Sequence, residues 1–473
     1  MLTGIRLKAN PTGHQKTILS QWMGCARFVW NAKCEEHRYL TAFARKYYPI
    51  GTHAPVDQQY SHFKDPDLSP WLSDCPSQIL RNSVSNWYLT FQNFKKGRCG
   101  RPQRKKKSGN GSIHLTKELF RFDLGEDGKK RLFIGSKTNH IGYLAINVHR
   151  EFKEPLSIYV KKRHGEYWVS FCYDDGQSQG DLLSQVDHLS YLRSQTEEFL
   201  QRHTLGIDRG IKRPIQAGDL ILDLTLEQKR SKERKEKYLL RYQKRLSRQV
   251  KGSKRRHKTR VKLSNAHNDI ANIRNDFCHK ASRTLASQKE ARIFILEDLR
   301  TKPMTRRAKA KKDESGHWLK NGAAAKSGLN KAILDVGWYR FEECLKYKLN
   351  RAGKAWFKVP AYQTSQECAA CGDTRPSNRK SQERFCCENC GHTDHADHNA
   401  AEVIKKRAIH LILHSGTELS ERGVLSLSDT GRGAKGKTGR VKRFPASGDE
   451  PSKKKRQAPR PSSCEFALEA APL

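Results

Sequence analysis

The spacing of apolar and polar positions divides the chain into stretches of different period. Ile5-Arg6-Leu7-Lys8 alternates and predicts a short strand. Thr12 and Gln15 then have the form of a capping box, whose side chains satisfy free amides at a helix start. Ile18, Trp22, Cys25 and Val29 recur at helical spacing, giving that helix one apolar face. A second helix is predicted from about Pro76, with Leu80, Val84, Trp87, Phe91 and Phe94 on one stripe. Over residues 132–173 the period shortens to alternating runs broken at Gly135, Gly142 and Gly165, which predicts an antiparallel sheet or barrel. Residues 174–203 are rich in Asp, Gln, Ser and Glu and read as a linker with a short helix.

Beyond that stretch, apolar runs alternate with long helical patterns. Strands are predicted at residues 204–207, 220–224, 292–296 and 355–359. Residues 228–290 form a Lys- and Arg-laden helical stretch interrupted near Gly252, with Leu263, Ala266, Ile270, Ile273 and Phe277 on one stripe. One helix is predicted over roughly 330–350 and a last one from about Asp397. Residues 411–473 have sparse apolar periodicity and much Gly, Ser, Pro, Lys and Arg, so disorder is expected there.

Charge narrows the class of partner. The 473 residues hold 91 Lys and Arg against 49 Asp and Glu, a formal net charge of +42. Such an excess suits a polyanion, and nucleic acid fits better than a membrane surface, because no basic amphipathic anchor accompanies an apolar segment. No run of about 18 apolar residues exists to cross a bilayer. The start of the chain lacks the apolar core of a signal peptide. The expectation is a cytoplasmic, nucleoid-associated protein, a monomer rather than a dimer.

Two exposed features could meet nucleic acid. Gln78, Arg81 and Asn82 lie off the apolar stripe of the second helix; they form either a solvated face or a contact surface. The loop after that helix carries Lys105, Lys106 and Lys107, on a segment able to track phosphates.

Of 13 cysteines, five crowd into one segment, which reads as reduced thiols plus a metal site rather than a disulfide scaffold. Cys368 and Cys371 form one pair and Cys387 and Cys390 another, each followed by glycine. Four thiolates so spaced close a tetrahedral zinc site with no open position, structural rather than catalytic. Cys386 falls outside the two-residue gap and is read as a bystander.

Three acids make a second constellation. Asp208 and Glu297 each end a predicted strand, and Asp397 opens the last helix. Two strand-end carboxylates and one from a helix start can hold two divalent ions for phosphodiester hydrolysis, the arrangement of an RNase H-type fold. A single strand-end acid more often serves a turn or cap.

Leu205-Gly206-Ile207-Asp208-Arg209-Gly210, Ile295-Leu296-Glu297-Asp298-Leu299, Thr364-Ser365-Gln366-Glu367-Cys368 and Asp397-His398-Asn399-Ala400-Ala401 resemble successive signatures of the TnpB family. These are transposon-encoded, RNA-guided DNA endonucleases ancestral to type V CRISPR effectors. The resemblance covers roughly residues 5–410. It implies an α/β plus β-barrel architecture: a wedge-type barrel from residues 1–10 and 115–175, a helical recognition bundle over 11–114, and a linker over 176–203. A RuvC nuclease from 204–360 and 396–412, a zinc ribbon over 361–395 and a basic tail over 413–473 complete it. It further implies Mg2+ or Mn2+ on Asp208, Glu297 and Asp397, Zn2+ on the four cysteines, a guide RNA, and double-stranded target DNA cut beside a short adjacent motif. Base pairing would then read the sequence, leaving the cations to recognise backbone and duplex shape. The basic segment 302–327, after Glu297, is expected to be a lid over the site.

One departure stands out. The family commonly has Asp-Arg before its last catalytic Asp, where this chain has His395 and Ala396. Asp394 is a weaker candidate ligand than Asp397. The competing readings are a compact type V CRISPR effector, a nuclease-silent RNA-guided repressor and a zinc-ribbon nucleic-acid-binding protein without catalysis.

Overall fold

The computed structural model describes residues 2–47, 56–107, 110–126, 128–176 and 183–427. They fall into two compact units that divide near residue 178.

In the first unit β1 (Leu2–Ala9) leads into α1 (Gly13–Tyr47), and α2 (Ser77–Lys95) follows. The capping box forms as predicted: the Thr12 amide donates to Gln15 Oε1 at 3.0 Å and the Gln15 amide to Thr12 Oγ1 at 3.3 Å. The strands are β2 (Gly111–Thr116), β3 (Phe120–Leu124), β4 (Lys130–Gly135), β5 (His140–Leu144), β6 (Ile146–Asn147), β7 (Ser157–Arg163) and β8 (Glu166–Asp174). They make one antiparallel sheet in the order β2-β7-β8-β1-β6 and a second in the order β3-β4-β5. Leu19, Trp22, Val29, Leu80 and Val84 from the helices share one core with Leu7, Leu132, Val160 and Val169 from the sheets. The predicted apolar stripes therefore bury where their spacing placed them.

The second unit opens with α3 (Gln185–Arg193) and α4 (Glu197–His203). These correct the linker reading. Both helices have side-chain N-caps, from Ser184 and Thr196, and their Leu189, Leu192 and Leu200 are buried in a core. Next come β9 (Thr204–Asp208), β10 (Ile215–Ala217), β11 (Leu220–Leu222), the long helices α5 (Leu226–Arg248) and α6 (Lys254–Ala286), and β12 (Ile293–Glu297). After β12 run α7 (Thr301–Met304), the hairpin β13 (Lys311–Lys312) and β14 (Trp318–Leu319), α8 (Ala323–Val336), α9 (Trp338–Arg351) and β15 (Ala355–Val359). The helix expected over 330–350 is thus two. They break at Gly337, whose φ of 79° suits glycine and where a Cβ would meet Arg274 Cδ at 2.7 Å.

The sheet order is β11-β10-β9-β12-β15, with β9, β12 and β15 parallel and β10–β11 an antiparallel edge hairpin. Alternation along β12 sends Phe294 and Leu296 to one face, against Phe277, Phe341 and Leu345 of α6 and α9. Ile293 and Ile295 go to the other, against Ile404, Ala408 and Ile412 of α10 (Ala396–Leu413). Helices on both faces of a largely parallel sheet explain why these strands read as continuous apolar runs.

Before α10 comes a small hairpin, β16 (Arg384–Cys386) and β17 (Thr393–His395). After α10 comes another, β18 (Thr417–Leu419) and β19 (Leu425–Leu427), whose Leu425 is fully buried. The expectation of disorder from residue 411 is corrected up to residue 427; the rest of the predicted tail lies outside the described residues.

Candidate functional site

Asp208 is the last residue of β9 and Glu297 the last of β12. The two strands run parallel with Ile207 opposite Leu296, so the carboxylates occupy neighbouring strand ends. Asp397 lies in the first turn of α10, which crosses β9 in backbone contact: a Cβ on Gly206 would stand 2.0 Å from the Ala401 carbonyl oxygen. From that crossing Asp208 is two strand residues away, about 6.6 Å, and Asp397 four helix residues, about 6 Å. Strand and helix therefore deliver both acids to the same edge. Burial and the charges of Glu297 and Asp397 push the Asp208 carboxyl up to about 7. Burial also raises Glu297, against the opposing pull of the Thr364 hydroxyl and of Arg209. A donor set whose members repel one another out of water is one that a cation relieves.

Several partners of these acids escaped the sequence reading. Buried Thr364 donates its hydroxyl to Glu297 Oε1. The Arg209 side chain is 1% exposed; it donates to the Glu297 carbonyl and pairs with Glu342 at 3.0 Å. Glu342 also meets Lys346 at 2.8 Å and Lys358. Burial opposes ionisation of Glu342, but Arg209, Lys346 and Lys358 outweigh it and hold the carboxyl down at about 2. Asp298 is ringed by Arg300 at 3.3 Å, Arg422 at 3.6 Å and Lys358 at 3.9 Å, so it is neutralised by protein cations. Nothing in the helical pattern of α9 marks Glu342 out from its neighbours.

The departure before Asp397 has a structural account. His395 caps α10, its Nδ1 accepting the Asp397 amide at 3.2 Å. Ala396 is buried beside Phe385, where a long cation has no room. Arg379 reaches Asp397 Oδ1 at 3.7 Å from another part of the chain. Asp394 is engaged by His398 Nδ1 at 2.6 Å.

Cys368, Cys371, Cys387 and Cys390 place their sulfurs within 4.8 Å of one another, the one such cluster of potential ligands among the described residues. Sγ separations of 3.7 Å (Cys368–Cys390) and 3.6 Å (Cys371–Cys387) match the ~3.8 Å of a tetrahedral ZnS4 centre with ~2.3 Å bonds. After each pair the chain turns back: Gly372 (φ 77°) donates to the Cys368 carbonyl at 2.9 Å, and Gly391 (φ 73°) to the Cys387 carbonyl at 3.0 Å. Cys386 is held in β16 opposite Thr393, outside the cluster. Buried Asn399 of α10 accepts the Ala369 amide at 2.9 Å and donates to the Glu367 carbonyl at 2.7 Å. The helix that carries Asp397 thus also grips the first cysteine turn.

Asn82 does not lie on an exposed face: it is 7% exposed and donates to the His114 carbonyl at 3.1 Å. Its place beside the stripe is at a helix–sheet boundary, which a helical wheel alone does not show. Gln78 is half-buried, and exposed Arg81 pairs with Glu118 at 3.6 Å. Lys105, Lys106 and Lys107 are exposed. Asn31 clamps the backbone of Lys105 through bonds of 2.8 and 3.0 Å, and the ammonium sits 3.6 Å from the Trp30 ring centroid. No helix among the described residues is long and apolar enough to cross a membrane.

Three family models match parts of the chain. Residues 186–308 match "Probable transposase", 338–404 "Cas12f1-like, TNB domain" and 1–35 "Helix-turn-helix domain". Over 1–35 the observed elements are β1 and the first part of α1. InsQ of Escherichia coli (strain K12), named for RNA-guided DNA endonuclease activity, is 30% identical over 420 residues, 88% of this chain and 94% of its own length. The chain belongs to the TnpB family. A relative from Streptomyces pristinaespiralis, also named as an RNA-guided DNA endonuclease, is 25% identical over 83% of this chain and 86% of its own length. The CRISPR-associated endodeoxyribonuclease Cas12f1 of Sulfoacidibacillus thermotolerans is 37% identical over 67 residues, 14% of this chain and 16% of its own. A solved Cas12f1–sgRNA–target DNA complex has a TM-score of 0.49 and 12% identity over 86% of this chain and 98% of that one.

Proposed function

We infer that this TnpB protein is an RNA-guided DNA endonuclease: a guide RNA selects double-stranded DNA beside a short adjacent motif, and Asp208, Glu297 and Asp397 serve its hydrolysis. The observation that carries this reading is the Asp208 carboxyl, half-buried at a strand end within the fields of Glu297 and Asp397. The three carboxylates would hold Mg2+ or Mn2+; bound there, the ions supply activation of water and neutralisation of the leaving oxygen. The chain's own residues keep that edge in shape. Thr364 orients Glu297, Arg209 ties the Glu297 backbone to Glu342, and the Gly206 crossing fixes Asp397 over β9. On this reading the second unit is a RuvC-type nuclease, and the four cysteines hold a Zn2+ that secures the ribbon to α10. The two antiparallel sheets of the first unit correspond to the wedge-type barrel, with α1 and α2 as the recognition helices. The protein then works on the nucleoid.

The Cas12f1 likeness in sequence is confined to a short stretch, whereas the InsQ likeness runs along most of the chain, which favours a transposon-end guide over a CRISPR array. The test is to sequence the RNA that copurifies with the protein and then to replace its guide segment. Cleavage that follows the new guide supports the reading. Absence of a defined RNA, or cleavage indifferent to the guide, overturns it.

A further inference from the structure

The helical hairpin α5–α6 is larger than the nuclease sheet needs. Only the C-terminal part of α6, including Phe277, Ala281 and Leu285, packs on the sheet core, and α5 has no buried residue along its 23. The hairpin's base is neutralised: Lys235 pairs with Asp269, Lys232 with Asp335, and Gln228 donates to Asp276 at 2.7 Å. Its outer part is not. Between Glu236 and Asp269 the chain has twelve Lys and Arg and no acid. Among the described residues, no ion pair compensates the cations of the tip groove.

That groove is formed where the two helices meet. It has a volume of about 720 Å3, and seven of its nine lining residues are cations, Arg241, Arg245, Arg248, Arg255 and Lys258 among them. Its shape is fixed by Arg256, which donates to the carbonyls of Leu246 and Gln249 and so closes the turn between the helices. Its position follows from topology. β11 runs in the same direction as β9, so α5 departs from the sheet edge that carries Asp208. From Asp276 to the start of α6 at Lys254 is about 33 Å of helix at 1.5 Å per residue.

We propose that the tip groove of α5–α6 is a phosphate-backbone site for the guide RNA, gripping it some 30 Å from the catalytic edge. This rests on the RNA-guided reading above. Like charges crowded into one groove repel, and only a polyanion that stays bound relieves the repulsion throughout the cycle. The guide is such an occupant; target DNA is present only during turnover.

The experiment measures guide-RNA affinity against salt for the full-length protein and for the pair Arg245→Glu with Lys258→Glu, alongside the neutral pair Arg245→Gln with Lys258→Gln. These side chains support no core, and circular dichroism checks folding of each variant. The expected result is at least a tenfold weaker RNA affinity for the reversed pair, a smaller loss for the neutral pair, and a shallower salt slope for both. RNA affinity and slope unchanged in both pairs would overturn the proposal. So would unchanged RNA binding with weakened target-DNA binding, which would give the groove to DNA instead. If the wild-type protein bound no defined RNA, the functional reading itself would fall, an outcome separable from either.

Discussion

Gly206 of β9 and Ala401 of α10 meet backbone to backbone, with 2.0 Å left between the Ala401 carbonyl oxygen and the place where a β-carbon on residue 206 would stand. Lys405's amide nitrogen is 2.9 Å from the same point, so neither neighbour is a side chain that can swing aside. The crossing is what lets a helix begin directly above the end of a strand and bring Asp397 to Asp208.

Gly206→Ala is therefore expected to lift α10 off the sheet. The cost should be about 1–3 kcal/mol, typical of overpacking, or more because backbone must move. Thermal melting reads the stability. Cleavage should fall further than the melting shift alone explains, since Asp397 moves with the helix. Wild-type activity and wild-type amide exchange along α10 in this variant would show that the crossing does not position Asp397.

Thr364→Val keeps the shape and removes the hydroxyl bound to Glu297. An unpaired buried polar atom costs about 1–3 kcal/mol, and more when it is charged. Cleavage should drop about tenfold or more while guide-RNA affinity is unchanged, and Thr364→Ser should restore most of the activity. Equal rates for the Val and Ser variants would show that the bond does not position Glu297.

Metal content separates the two adjacent cysteines. Cys387→Ser should lose the zinc, measured by elemental analysis, and weaken target cleavage because Asn399 links the cysteine turn to α10. Cys386→Ser should retain about one zinc per chain. The opposite ranking would mean that Cys386 is the ligand.

The raised Asp208 carboxyl sets a pH dependence with a definite sign. Its folded-state value near 7 lies above the ordinary 3.8, so the folded, metal-free protein holds a proton that the unfolded chain releases. That contribution to stability is complete below about pH 4 and is lost as pH rises through about 7. Metal-free melting temperature should therefore fall between about pH 4 and 7 relative to Asp208→Asn and level off above, and divalent ions should offset the fall. Because proton and cation compete for one carboxylate, Mg2+ affinity should rise over the same interval. A metal affinity flat from about pH 5 to 7 would contradict this.

Much of the acidic edge was legible in sequence because it is local. A carboxylate directly after an apolar run marks a strand end, and paired cysteines at a two-residue gap specify their own turn. The parts that escaped are those set by tertiary packing. Leu189, Leu192 and Leu200 are too few among polar residues to announce helices, yet they close one face of the sheet core. Leu425 is a single apolar anchor in a polar stretch, and it suffices to dock a hairpin. Asn82 looks solvent-facing on a helical wheel until β2 supplies His114's carbonyl. Thr364, Arg209 and Glu342 belong to three separate segments, and only the fold reveals that they brace the same pair of strand ends.

The most direct measurement is guide-directed cleavage of linear duplex DNA by the purified protein–RNA complex, with Asp208→Ala beside the wild type. The variant should bind guide RNA and target as the wild type does and leave the DNA intact. Cleavage by Asp208→Ala at a rate near the wild type's would contradict it, because the reaction would then proceed without the carboxylate around which Glu297 and Asp397 are gathered.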